Sequence, residues 1–245
     1  MPELPEVETV VNELRPKLKN KKIKEVRVLL PKMVAMGPAT LSNLRKNDES
    51  THLKFAKTLK GQKITDIKRR AKMIIIDLAG KYAILVHLKM TGQLIYFDKK
   101  QLDKQIRLLN LVNYKPVHLP AKSTHVIFEL SDGSRLFYND FRQFGYLKLV
   151  TDRELSEVPE LKGYGPEPLD KNFSYEEFEK LLTKRNNAPM KSWLMDPEVI
   201  AGIGNIYSDE ILFFAKVLPT RKAKSLKDKE KKLVYQGIKN LSFFF

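Results

Sequence analysis

Apolar residues recur at Leu4, Val7, Val10, Val11, Leu14 and Leu18, in steps of three and four that share one helical face. Pro5 suits a first helical turn, and Glu6 and Glu8 complement the positive end of the helix dipole, so the spacing predicts a helix over Leu4–Leu18. The period then changes to two. Val26, Val28 and Leu30 alternate with polar residues, as on a half-buried strand. Met73 to Leu78, a turn at Ala79-Gly80-Lys81, and Tyr82 to Leu88 describe a hairpin of strongly buried strands. Val126, Phe128 and Leu130 lead through a turn at Ser131-Asp132-Gly133-Ser134 to Leu136 and Tyr138. The polar, irregular stretch Lys99 to Lys122 is read as a loop.

From Thr151 to Lys171, Pro159, Gly163, Gly165, Pro166 and Pro168 break every period, which marks a boundary. Helical signals follow: Ser174 with Glu177 as a capping box ahead of Phe178, Leu181 and Leu182. Pro189 opens a helix Met190–Asp196, Gly202 and Gly204 interrupt, and another helix runs from Asn205 to Ala215. Beyond six lysines between Lys222 and Lys232, Leu233, Val234, Ile238 and Leu241 predict a last amphipathic helix. The expected fold class is α+β. A helix and a β-sandwich occupy 1–150, a linker 151–172, and an all-α domain 173–245.

Composition narrows the function. The 245 residues carry 45 Lys+Arg against 29 Asp+Glu, a formal charge of +16, which suits a polyanionic partner. A lysine-rich solvated surface would give the same count, and charge does not separate DNA from RNA or from anionic lipid. The sequence has no cysteine, which excludes disulfides, thiol nucleophiles and thiolate-bound metals. His52, His87, His118 and His125 show no paired ligand spacing, so no metal or cofactor is expected. No apolar run approaches the roughly 20 residues of a membrane helix. Met1 to Glu8 holds three glutamates and no basic segment, unlike a secretory signal, so the expected location is cytoplasmic, on DNA.

A few residues can carry chemistry. Removal of Met1 would leave Pro2 as a terminal secondary amine, with a pKa near 8 before any shift, and such an amine can form a Schiff base. Glu3 is the adjacent acid/base candidate and Glu6 a second carboxylate. The same residues also fit a capped helix start and nothing more. Asn205, after Gly202-Ile203-Gly204, stands where a helix begins; its side chain and free N–H groups would suit a phosphate, while a glycine-relieved turn between helices fits equally. A dinucleotide fingerprint fails, because Tyr207 occupies the third glycine position and no strand precedes it. Met90, beside Thr91-Gly92, and Arg142 with Phe144, before Gly145, are suited to wedging into a duplex. Core packing explains Met90 and Phe144 as well.

Six segments, taken together, resemble the bacterial formamidopyrimidine-DNA glycosylase family. They are Met1–Val10, Arg69-Arg70-Ala71-Lys72, His87–Gly92, Asn139–Gly145, Gly165–Leu169 and Ala201–Glu210. The resemblance implies a helix-two-turn-helix element in the all-α domain, with Pro2 as nucleophile, Glu3 as acid/base and Glu6 organising the site. It implies Lys72 in the catalytic site, where with His87 and Asn205, and more weakly Lys191, it holds phosphates around the lesion. Met90, Arg142 and Phe144 would fill the gap left by a flipped nucleotide, Arg142 pairing with the orphaned cytosine. The implied activity is excision of oxidised purines (8-oxoguanine and formamidopyrimidines) from double-stranded DNA, followed by β- and δ-elimination at the abasic site, by a monomer.

The sequence also departs from the family pattern. The family's base-capping loop and its zinc finger, usually with four cysteines, have no counterpart, and the aromatic run Ser242-Phe243-Phe244-Phe245 stands in their place. Thr91 stands where several relatives carry glutamate. These departures leave two further expectations: a non-catalytic or truncated damaged-DNA-binding homologue, and an endonuclease VIII-like enzyme acting on oxidised pyrimidines. An RNA-binding protein ranks last, having no use for a free Pro2 followed by paired glutamates.

Overall fold

The computed structural model describes residues 1–40, 50–103 and 119–241. Their contacts divide into two units. One holds Met1, Val10–Lys68 and Met73–Glu160, and the other holds Pro2–Thr9, Arg69–Lys72 and the chain from Leu161 onward. The first helix, α1 (Leu4–Leu18), therefore contributes its opening turns to the second unit and the rest to the first. Its apolar stripe is buried at Leu4, Val7, Val11, Leu14 and Leu18, each at most 4% exposed, and half-buried at Val10.

The first unit is a pair of β-sheets. Strands β1 (Ile23–Val28), β2 (Val34–Met36), β3 (Ile64–Arg70), β4 (Met73–Leu78), β5 (Tyr82–His87), β6 (Gly92–Phe97), β7 (Thr124–Leu130), β8 (Arg135–Asp140) and β9 (Tyr146–Thr151) form two sheets, ordered β1-β7-β8-β6 and β2-β9-β5-β4-β3. The β4–β5 hairpin pairs Met73 with His87 through Leu78 with Tyr82, and β5 pairs onward with β9. Nearly every residue of β4, β5 and β9 is buried, as strands covered on both faces require. Strand β1 ends at Val28, before the expected Leu30, because Pro31 opens a 3-10 turn and has no N–H to donate.

Three features depart from the expected pattern. Helix α2 (Thr51–Leu59) lies within the part read as sheet, burying Phe55 and Leu59 one helical turn apart. Strand β2 pairs parallel with β9, a pairing that a three-residue segment does not announce. Helix α3 (Lys99–Asp103) opens the stretch read as a loop; residues 104–118 of that stretch, His118 among them, lie outside the described residues.

Lys148 on β9 is fully buried. Its ammonium donates to both Glu160 carboxylate oxygens at 2.9 Å and to Ala39 O at 2.9 Å. Glu160 is partly exposed, but removing it would strand the fully buried Lys148 charge. Glu160→Leu should therefore destabilise the protein by about 3–5 kcal/mol. Adding Lys148→Met should recover most of the loss, both changes read in thermal melts.

After α4 (Asp152–Leu155), capped by Thr151 and Glu154, the second unit is helical: α5 (Tyr175–Lys184), α6 (Met190–Met195), α7 (Asn205–Ala215) and α8 (Asp228–Lys239). Ser174 accepts from Glu177 N at the start of α5, the N-cap half of the expected capping box. Trp193, Phe178, Met190, Ile200, Val234 and Ile238 are fully buried in one core, each large side chain contributing roughly 1.5–3 kcal/mol. Gly237 lets α8 approach α7, since a Cβ there would sit 3.2 Å from Ile211. Ser242–Phe245 lies outside the described residues. Among the described residues, no helix is long and apolar enough to cross a membrane.

Candidate active site

In the second unit the start of α1 meets the start of α7. Glu3 immediately precedes α1, and its backbone N–H donates to Glu6 Oε2 at 2.9 Å, the carboxylate of the third helical residue reaching back to cap the first turn. Glu6 thus holds the helix entry, and the Glu3 side chain is left to serve elsewhere. That carboxylate, 3% exposed, accepts from Gly204 N at 2.8 Å, Ile206 N at 3.0 Å and Tyr207 N at 3.3 Å. The N–H groups expected to await a phosphate at the start of α7 are therefore taken by the protein's own carboxylate. The helix terminus is an anion site, and Glu3 is the anion. The Asn205 side chain itself is exposed.

Two glycines permit this approach for different reasons. Gly202 has φ +85°, left-handed backbone that favours glycine; its carbonyl accepts from Leu4 N at 3.1 Å, and a Cβ would lie 2.8 Å from Leu4 Cδ1. Gly204 is extended, with φ −127°, so any residue could adopt its backbone. Space is the constraint: a Cβ would fall 2.4 Å from Glu3 Oε1 and 2.5 Å from Lys72 Nζ, so those side chains would have to move. Carboxylate and ammonium thus flank the same glycine, and the positive end of α7 complements the Glu3 charge.

Tyr207, on the first turn of α7, donates its hydroxyl to Glu6 Oε1 at 2.8 Å. Burial, and then the Glu6 carboxylate, push this phenol well above its ordinary pKa, so it remains a donor across neutral pH. Glu6 consequently joins the entry of α1 to α7.

The segment bearing Lys72 is anchored by its neighbours. Arg69, with a side chain 7% exposed, donates to Glu8 at 2.6 Å, to Glu167 at 2.6 Å and to Ala71 O at 2.9 Å. Arg70 donates to the other Glu167 oxygen at 2.8 Å and to the carbonyls of Tyr164 and Gly165. Ala71, at φ +52°, gives its N–H to Glu167 at 2.7 Å, which holds a backbone conformation unusual for alanine. Tyr207, Arg69, Arg70 and Glu167 are not among the individually expected site residues. The one signal was adjacent arginines on a strand, which call for carboxylate partners if buried.

Pro2 is half-buried and next in the chain to Glu3. Lys191, on α6, is committed to an ion pair with Asp209 of α7 at 2.8 Å. The remaining candidates belong to the first unit. His87 ends β5, its Nδ1 accepting from Lys89 N at 3.1 Å and its ring 5.7 Å from that of Tyr146. Met90 and Phe144 are not core residues, being 44% and 49% exposed. Arg142 joins them: its guanidinium donates to Met90 Sδ at 3.0 Å and lies 4.8 Å from the Phe144 ring centroid. The exposed set Met90, Arg142 and Phe144 thus touches from two loops.

A buried carboxylate seated on a helix N-terminus, with a lysine beside it and Pro2 next in the chain, brings an amine and a carboxylate together on an α+β chain. Residues 1–147 match the formamidopyrimidine-DNA glycosylase N-terminal domain, and residues 164–242 match the formamidopyrimidine-DNA glycosylase H2TH domain. The chain belongs to the formamidopyrimidine-DNA glycosylase family.

Formamidopyrimidine-DNA glycosylase of Pelotomaculum thermopropionicum is 39% identical over 98% of this chain and 76% of its own length; that of Heliobacterium modesticaldum is 36% identical over 98% and 77%. The Lactococcus lactis enzyme, solved with DNA containing an abasic site, superposes with a TM-score of 0.77 at 27% identity, covering 99% of this chain and 78% of that one. A MutM structure with DNA containing carbocyclic 8-oxo-G gives a TM-score of 0.75 at the same identity, over 99% and 78%.

Proposed function

We propose that this base-excision DNA glycosylase removes oxidised purines from duplex DNA through a Schiff base on Pro2 and then cleaves the abasic strand. The observation that carries the reading is the buried Glu3 carboxylate, held by three backbone N–H groups, next in the chain to Pro2 and sharing Gly204 with Lys72. Once Met1 is removed, the Pro2 nitrogen attacks C1′ of the lesion nucleotide, the C1′–N bond breaks, and the base leaves with a proton. Glu3 transfers protons at its Oε atoms during base loss and ring opening. The resulting iminium makes the 2′ proton acidic; β-elimination then breaks the 3′ C–O bond, and δ-elimination the 5′ one.

Lys72, His87 and Asn205 hold phosphates in this reading. Lys191 adds positive charge only so far as Asp209 releases it. Met90, Arg142 and Phe144 occupy the gap left by the extruded nucleotide. The likeness to enzymes solved on abasic-site and 8-oxo-G DNA supports a damaged-DNA substrate. The formal charge of +16 supports a polyanionic partner, and relatives solved on damaged DNA support a duplex partner and a cytoplasmic, DNA-associated location. The proposed chemistry calls on no cofactor, and a sequence without cysteine does not fit a four-thiolate zinc site.

The test is strand cleavage on matched duplexes carrying 8-oxoguanine opposite cytosine, an oxidised pyrimidine, or no lesion. The expected result is cleavage of the purine lesion, with phosphate at both ends of the gap. Preference for the pyrimidine would move the enzyme to an endonuclease VIII-like specificity. Tight binding without cleavage of any duplex would leave a damage-binding protein.

A further inference from the structure

We propose that Thr91 is a positioning residue whose hydroxyl clasps the two wedge loops of the first unit into one rigid probe. The inference rests on the proposed role of Met90 and Arg142 in filling the gap of an extruded nucleotide. One loop follows β5 and carries Met90; the other follows β8 and carries Arg142 and Phe144. Thr91 Oγ1 donates to Asp140 Oδ1 in a short hydrogen bond and accepts from Arg142 N at 2.9 Å. A single hydroxyl therefore spans the loops, as donor toward one residue and acceptor from another.

The partner of this clasp is itself held on several sides. Asp140 is fully buried, and its other carboxylate oxygen accepts from Gly145 N at 2.7 Å. Its backbone N–H donates to Ser123 O at 2.9 Å, and its carbonyl lies 2.8 Å from His125 Nε2, which must carry the proton because a carbonyl only accepts. The loops, by contrast, store strain. Lys89 has φ +51° and Gln143 φ +56°, left-handed conformations that cost a residue with a Cβ about 1–2 kcal/mol. Gly92 closes the first loop so tightly that a Cβ would lie 2.4 Å from Leu88 O.

The clasp explains the residue type. Only a short side chain that donates and accepts through one atom can serve both Asp140 and Arg142 N. Valine has the shape without the hydroxyl. Glutamate would set a second carboxylate against the buried Asp140. Arg142 reaches Met90 Sδ from the backbone position that its N–H bond to Thr91 holds, so releasing that N–H loosens both ends of the wedge.

The experiment compares Thr91→Val, Thr91→Ser and Arg142→Ala with the full chain. Single-turnover excision is measured on an 8-oxoguanine·cytosine duplex and strand cleavage on an abasic duplex, with 2-aminopurine beside the lesion reporting extrusion and thermal melts reporting the fold. Thr91→Val should lose about tenfold in excision, the worth of one charge-assisted hydrogen bond, with a matching fall in extrusion amplitude. Its abasic cleavage should stay within about twofold, because an abasic site has no base to unstack. Thr91→Ser should restore both signals. Thr91→Val at wild-type excision and extrusion, with Arg142→Ala impaired, overturns the clasp and leaves the wedge standing. Arg142→Ala at wild-type extrusion overturns the wedge reading, and the clasp with it.

Discussion

Glu3→Gln is expected to lower base excision by about 10²- to 10⁴-fold, the range that a positioned acid/base group supplies. Two losses combine in this one change. The carboxylate accepts N–H groups on both oxygens, from Gly204 and Tyr207 on one and from Ile206 on the other. An amide has a single acceptor oxygen, so its NH₂ must face at least one backbone donor in a buried place, at a cost of about 1–3 kcal/mol. Proton transfer at that position is lost as well. Single-turnover excision would show the fall, and a melt would show the smaller stability loss. Glu3→Asp separates the two effects: it keeps the carboxylate but shortens its reach to α7, so its rate should lie between those of Glu3→Gln and the unmodified chain.

Gly204→Ala is expected to reduce the rate by about 10²-fold or more while leaving the protein folded. The backbone at Gly204 is extended and accepts alanine without strain. The added methyl would overlap the Glu3 carboxylate and the Lys72 ammonium, at 2.4 Å and 2.5 Å. Either group must retreat, and a displacement near 1 Å at a catalytic group costs about 10²-fold. Circular dichroism and a melt close to those of the unmodified chain, with excision collapsed, is the outcome expected. An active Gly204→Ala would mean that the positions of Glu3 and Lys72 beside this glycine do not matter to the reaction.

Both predictions depend on a juxtaposition that local sequence patterns do not contain. The helix Leu4–Leu18 and the helix Asn205–Ala215 were legible from apolar spacing, proline and glycine punctuation, and both begin and end where that spacing places them. Glu3 and Gly204 are 201 residues apart, however, and periodicity carries no information on which helix start receives which carboxylate. For that reason the backbone N–H groups around Asn205 read as open to a phosphate. The free N–H groups were correctly located and their ligand was not.

Burial of short segments was similarly opaque. Met90 and Phe144 are apolar residues next to strand ends, which fits core packing as well as exposure; only the turn at Thr91-Gly92 and the Arg142 side chain between them decide for exposure. The short helix Thr51–Leu59 has two buried positions, too few for a period to stand out against the strands around it. The hairpin Met73–His87, with long apolar strands and a three-residue turn, was readable because its burial continues on both faces.

The central claim is that the terminal amine of Pro2 carries out the chemistry. Borohydride reduction during turnover on an 8-oxoguanine·cytosine duplex, and on an abasic duplex, fixes any Schiff base as a stable protein–DNA adduct, which proteolysis and mass spectrometry can map. The account predicts an adduct on both duplexes, located on the peptide that begins with Pro2, in protein from which Met1 has been removed. An adduct on Lys72, or cleavage of the lesion strand with no adduct at all, would contradict it.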